Sequence, residues 1–188
     1  MDEVGKVGEV GKVGEVGKIT EAEAEDRARA AVREALSSLD MTWGEAQPGL
    51  FSVSIPGTRK LITDCALEVG VHALQVRAFV ARRPDENHQA VYEWLLQRNV
   101  KLYGIAFCLD ALGDIYLVGK IGNAAVSASE VDRLLGAVAE TADNSFNVIL
   151  DLGFAESIRR EWAWRRARGE STANLAAFAH LDPEFRRH

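Results

Sequence analysis

The chain has 188 residues, 47% of them hydrophobic, with 28 acidic against 22 basic side chains and a net charge of −6. That length suits one domain with a sizeable core and some tail, and the negative balance argues against nucleic-acid binding. Apolar runs such as YLVGKIG and LYGIAFCLDAL are too short and interrupted to span a bilayer, and no secretory signal opens the chain, so a cytoplasmic location without a membrane partner is expected.

Residues 4–18 read VGKVGEVGKVGEVGK, with glycine at every third position and lysine alternating with glutamate. A period of three presents neither a helical nor a strand face, so residues 1–18 are expected to be a flexible low-complexity tail. The pattern changes at Thr20. Thr20 with Glu23 spells a capping box, and Ala24, Ala28, Ala31, Val32, Ala35, Leu36 and Leu39 follow as an apolar stripe at helical spacing.

Three alternating segments come next. LFSVSI places Phe51, Val53 and Ile55 inward, LITDCALEV places Leu61, Thr63, Cys65, Leu67 and Val69 on one face, and ALQVRAFVA does the same with Leu74, Val76, Ala78 and Val80. Their short connections predict an antiparallel meander whose wet face carries Asp64, Glu68, Gln75 and Arg77.

RRPDENHQAVYEWLLQRN follows, and it is the stretch that most resembles chemistry. Pro84 suits a helix start, and Asp85 and Glu86 suit the positive end of a helix dipole, so the acids are expected to begin a second helix. Val91, Trp94, Leu95, Arg98 and Leu102 would share its inner face, with Trp94 in the core. Asp85 and His88 alone are too few for a metal site or a catalytic centre.

LYGIAFCLD and DIYLVGKIG then flank ALG as a hairpin. The first of these is apolar on both faces, which predicts a strand through the centre of the sheet. Ser127 with Glu130 spells another capping box, opening a long helix that buries Val131, Leu134, Leu135 and Val138. Two cysteines, Cys65 and Cys108, lie in strand patterns and read as inert core. The four histidines are scattered, and no phosphate loop, dinucleotide fingerprint or nucleophile elbow is present, so no cofactor is expected.

The most unusual segment is SIRREWAWRRARGE, with five arginines and two tryptophans between positions 159 and 168 of an acidic chain. Arg159, Arg160, Trp162, Trp164, Arg165, Arg166 and Arg168 are candidates for contact with an acidic protein partner, since Arg and Trp are enriched at interfaces. The plainer reading is a helix that buries Ile158 and Trp162 while its arginines are solvated or paired with Glu156 and Glu161. The remaining tail, residues 169–188, reads as a C-terminal extension that includes a last amphipathic piece in STANLAAFAHLDPEFRRH and frays.

Three long blocks, RRPDENHQAVYEWLLQRN, LYGIAFCLDALGDIYLVGKI and DNSFNVILDLGFAESIRREWAWR, together resemble the actinobacterial branch of the YbjN-domain family. That family is described as bacterial sensory-transduction regulators with a fold like type III secretion chaperones. The resemblance spans about residues 20–168. It implies homodimerisation, no known chemistry, and the order helix, three strands, helix, two strands, helix that the residues themselves suggest.

The expected molecule is therefore an α+β domain over residues 19–168, a five-stranded antiparallel sheet packed with helices and followed by a C-terminal helix. Its expected role is that of a non-enzymatic module that binds itself and another protein, in a regulatory or chaperone-like capacity. The runner-up is a small-ligand sensor with a pocket between the sheet and the second helix near Trp94. A hydrolase built on Asp85 and His88 comes last.

Overall fold

The computed structural model describes residues 20–184; residues 1–19 and 185–188 lie outside that range, and with them the expectation of a flexible repeat tail. Helix α1 (Glu21–Ser38) starts on the capping box: Glu23 N–H donates to Thr20 Oγ1 at 3.3 Å, and Thr20 N–H donates to Glu23 Oε2 at 2.8 Å. Its buried stripe is Ala28, Val32, Ala35 and Leu36, spaced by three and four residues as one helical face requires.

Among the described residues the sheet has six strands, not five: β1 (Thr42–Gln47), β2 (Leu50–Pro56), β3 (Ile62–Val69), β4 (Ala73–Ala81), β5 (Ala106–Leu109) and β6 (Ile115–Gly122). They lie in the order β1-β2-β3-β4-β6-β5, antiparallel throughout. The additional strand, β1, has no fully buried residue, and that is why it leaves no alternating signal. It is held by pairing with β2 and by Glu45, whose carboxylate accepts from Arg33 of α1 and from Gly49 N–H.

A second correction concerns β5. Its two apolar faces suggest a central position, yet it is a four-residue edge strand beside β6. Phe107 points into the core while Cys108 is only partly covered. The cover comes from helix α2 (His88–Asn99) rather than from a further strand: Phe107 N–H donates to Asn99 Oδ1 at 2.7 Å, and Asn99 Nδ2 donates to Phe107 O at 3.3 Å.

On β2, β3 and β4 the expected alternation holds except at Leu61, which the pattern places inward but which precedes the start of β3 at Ile62 and is 77% exposed. Phe51, Val53, Ile55, Thr63, Cys65, Leu67, Val69, Leu74, Val76, Ala78 and Val80 are buried. Each such aliphatic or aromatic side chain contributes about 1.5–3 kcal/mol on burial, and a one-residue slip would turn the whole set to water, so the register is firmly specified. Helices α1 and α3 (Ala128–Gly153) cover this face, with α2 against α3 and β5. The opposite face, with Ser52, Asp64, Glu68, Gln75 and Arg77, is left open.

Helix α3 begins at Ser127, whose Oγ accepts from Glu130 N–H at 3.2 Å. The expected box is only half formed, because the Glu130 carboxylate takes the Tyr103 hydroxyl at 2.9 Å instead of returning to Ser127. Helix α4 (Ala155–Arg168) follows after a break at Phe154, and a 3-10 segment (Ala173–Leu181) folds back on it. Leu175, Phe178 and Leu181 of that segment are buried, so this part of the C-terminal stretch packs where fraying is expected from the sequence.

Candidate interaction surface on the C-terminal helix

The position of α4 depends on the Pro84–Asn87 loop, which corrects the reading of those acids. Helix α2 starts at His88, later than the proline suggests, and Asn87 before it sits in a left-handed conformation without a capping bond. Asp85 and Glu86 instead serve the α3–α4 junction. Their N–H groups donate to Gly153 O at 2.9 and 3.2 Å, which satisfies the carbonyl end of α3. Glu86 Oε1 accepts from Glu156 N–H at 2.7 Å, and Asp85 Oδ2 accepts from the Ser157 hydroxyl at 2.8 Å, so both anions face the positive end of α4. Asp85 also forms a two-point ion pair with Arg82.

The junction is tight. A Cβ on Gly153 would stand 2.8 Å from Pro84 Cβ and 3.2 Å from Val91 Cγ2. Arg82 first, then the Ser157 hydroxyl, hold the Asp85 carboxyl down at about 2, against the opposing effect of burial. A carboxylate so committed is a weak base. His88 lies beside Tyr92, with ring centroids 6.0 Å apart. Among the described residues no group of three or more His, Cys, Asp or Glu side chains is placed to hold a metal ion. Burial pushes the Cys65 thiol up to about 12 and raises that of Cys108 as well, which keeps both in the unreactive thiol form.

Helix α4 separates the seven candidate residues into three groups. Trp162 is turned inward and only 6% exposed, with Nε1 donating to Phe178 O at 3.3 Å. Arg159, Arg165 and Arg166 are paired within the chain: Arg159 with Glu156, Arg165 with Glu161 at 2.6 Å, and Arg166 with both Asp182 and Glu184. Arg166 also lies over the Trp162 ring, so its charge fastens the 3-10 segment to α4.

Arg160, Trp164 and Arg168 remain, and they share one exposed face at i, i+4 and i+8. Trp164 is 45% exposed, with the Arg168 guanidinium 4.8 Å above its ring. Arg160 donates to Ser157 Oγ at 2.8 Å. Among the described residues neither Arg160 nor Arg168 has a carboxylate within 4.0 Å. The spacing is visible in the sequence once a helix is assumed. What separates these three from their neighbours is pairing: Glu156 and Glu161 on the helix itself take Arg159 and Arg165, and Asp182 and Glu184, brought in by the fold, take Arg166.

Trp94 also sits differently from its expected place. It is half-buried, its ring 6.4 Å from that of Phe107 and the Arg98 guanidinium 4.9 Å from it. The inner face of α2 is filled by Val91 and Leu95.

The molecule is thus an α+β domain with an antiparallel sheet covered by helices on one side, and with a paired and an unpaired arginine face on its last long helix. It belongs to the YbjN family: the family model, described as "Putative bacterial sensory transduction regulator", matches residues 28–151. The chain is 56% identical over 140 residues to the uncharacterized protein Rv0487 of Mycobacterium tuberculosis, covering 74% of this chain and 76% of that one. It is 46% identical over 159 residues to the uncharacterized protein ML2442 of Mycobacterium leprae, covering 82% and 86%.

Among solved structures, the HopA1–SchA chaperone–effector complex matches at 14% identity and a TM-score of 0.49, over 64% of this chain and 94% of that one. The ExoU–SpcU complex from the type III secretion system of Pseudomonas aeruginosa matches at 13% identity and a TM-score of 0.41, over 54% and 83%.

Proposed function

We propose that this chain is a non-catalytic, cytoplasmic protein-binding module with a regulatory or chaperone-like role, which docks an acidic partner along Arg160, Trp164 and Arg168. The carrying observation is the unpaired stripe itself. On a chain of net charge −6, two arginines that among the described residues have no carboxylate within 4.0 Å flank a half-exposed tryptophan, while Arg159, Arg165 and Arg166 are paired within the chain. A partly exposed aromatic between unpaired guanidinium groups is the composition of an interface anchor. The description of the family as regulatory supports the same reading.

Self-association as a homodimer belongs to this proposal. Leu96 on α2 and Val100 just past its end are 66% and 87% exposed, with Leu109 and Leu112 exposed on the adjoining β5–β6 hairpin. Large apolar side chains gathered at a surface mark an association site. Because Asn99 occupies the outward backbone groups of Phe107, the dimer would form through side chains and not by strand addition at that edge.

The test is charge reversal, Arg160→Glu with Arg168→Glu, read by quantitative capture of partners from native cytoplasm at low and high salt. Capture by the wild type should weaken with salt, since exposed charges are screened over about 8–10 Å. Capture by the double variant should be lost at either salt, while its circular-dichroism spectrum stays that of the folded wild type. Undiminished capture by the variant would remove the stripe from the proposal. A wild-type monomer by light scattering, at concentrations where Leu96→Asp is also monomeric, would remove the dimer.

A further inference from the structure

We propose that the hollow between the end of β4, the C-terminal half of α3, α4 and the 3-10 segment binds a small amphipathic monoanion, a carboxylate on an apolar body, with Lys60 as its counter-ion. The hollow has a volume of about 450 Å³, and its apolar walls are Phe79, Phe146, Leu150, Phe154, Ile158 and Leu175. That is within the roughly 300–1,000 Å³ usual for small-molecule sites, as is a mostly apolar lining with few polar groups.

Charge decides the class of ligand. Three charged side chains line the hollow: Lys60, Arg82 and Glu161. Arg82 is neutralised by Asp85 and lies 4.4 Å from the Phe154 ring centroid, and Glu161 is neutralised by Arg165. Lys60 has no such partner; among the described residues no carboxylate lies within 4.0 Å of its Nζ. Its ammonium is instead held between two aromatic rings, 5.3 Å from the centroids of both Phe79 and Phe146. An occupant therefore meets one positive charge that, among the described residues, has no carboxylate in contact, in an apolar surround, which favours a single negative charge on an apolar body.

Lys60 is also held in place. Its own N–H and those of Thr58 and Arg59 converge on Asp143 Oδ1 at 2.9, 2.8 and 2.6 Å. Gly57 allows this approach, since a Cβ there would stand 2.7 Å from the same oxygen. The loop thus delivers the ammonium to the hollow from a fixed backbone, which reduces the ordering that binding would require. Burial lowers the Lys60 pKa, with Asp64 opposing, so the charge lacks part of its hydration and gains from a carboxylate ligand.

The experiment compares decanoate with decanol, both below their aggregation limits, titrated into the full chain and followed by methyl NMR. Decanoate should give saturable shifts at Leu150, Ile158 and Leu175, and bind roughly tenfold more tightly than decanol, a factor equivalent to ~1.4 kcal/mol. In Lys60→Met that preference should vanish with decanol binding unchanged, and in Lys60→Arg it should persist. Equal affinities on the wild type would overturn the proposal without recourse to any variant. So would shifts confined to the open sheet face, the absence of saturation by either probe, or an undiminished preference in Lys60→Met.

Discussion

Asp143 fastens the β2–β3 connection to α3, and removing it should have a calculable effect. Its Oδ1 receives three backbone N–H groups and its Oδ2 receives the Thr58 hydroxyl at 2.7 Å, with Arg59 at 3.6 Å completing the surround. Asp143→Ala leaves all four donors without an acceptor. Hydrogen bonds to a charged group are worth about 1.5–3 kcal/mol each, but the donors of Thr58 and Arg59 are exposed and regain water, so a net loss of about 3 kcal/mol is expected. In a chain of this size that corresponds to a melting temperature lower by roughly 6–12 °C.

Asp143→Asn isolates the part that depends on charge. Burial pushes the Asp143 carboxyl up, but the Thr58 hydroxyl and the N–H groups of Lys60, Arg59 and Thr58 together outweigh it and hold the group at about 2 instead of 3.8. A folded-state value below the unfolded one stabilises the fold above the unfolded pKa, and this is lost as pH falls through the folded value. The wild type should therefore exceed Asp143→Asn by about 2 kcal/mol above pH ~4, at roughly 1.4 kcal/mol per pH unit of displacement, with the gap closing toward pH ~2. Urea unfolding followed by circular dichroism across that range measures it. A gap that is constant with pH would refute the assignment of the effect to the carboxylate charge.

Gly153→Ala should destabilise by about 1–3 kcal/mol through overpacking against Pro84 and Val91, and the same denaturation assay would show it as a lower midpoint with an unchanged slope. Trp94→Ala should lose about 2 kcal/mol, roughly half the usual figure for a fully buried aromatic, because the ring packs against the core but is only partly buried; a loss of 4 kcal/mol or more on thermal melting would place Trp94 in the core. Arg166→Glu should lower the melting temperature, since it sets a like charge against Asp182 and Glu184, whereas Arg168→Glu should leave it unchanged. Equal melting of these two variants would contradict the division of α4 into a paired and an unpaired face.

What residues within a few positions of one another decide was legible from the start. The Thr20 capping box, the stripe of α1 and the alternation of β2, β3 and β4 all arise from groups separated by two to four residues, and each appears where expected. The α+β class and the antiparallel meander follow from those periods, and the blocks that resemble YbjN fall within the matched family range or run just past it. Other features depend on what the chain brings alongside. Strand β1 has no buried alternation to announce it, and β5 looks central because apolar residues on both faces report cover without saying whether a strand or a helix provides it. Asp85 and Glu86 suit the N-terminus of any nearby helix; only the docking of their loop on Gly153 assigns them to α4 and not to α2. Likewise the pairing of Arg159 and Arg165 with Glu156 and Glu161 is local to α4, whereas only the fold brings Asp182 and Glu184 to Arg166. Lys60 gives no local signal at all, because its environment is made by Phe79 and Phe146 from elsewhere in the chain. Local periodicity specifies which side of an element faces inward, whereas the partner on that side is chosen by long-range packing, which no short stretch of sequence contains.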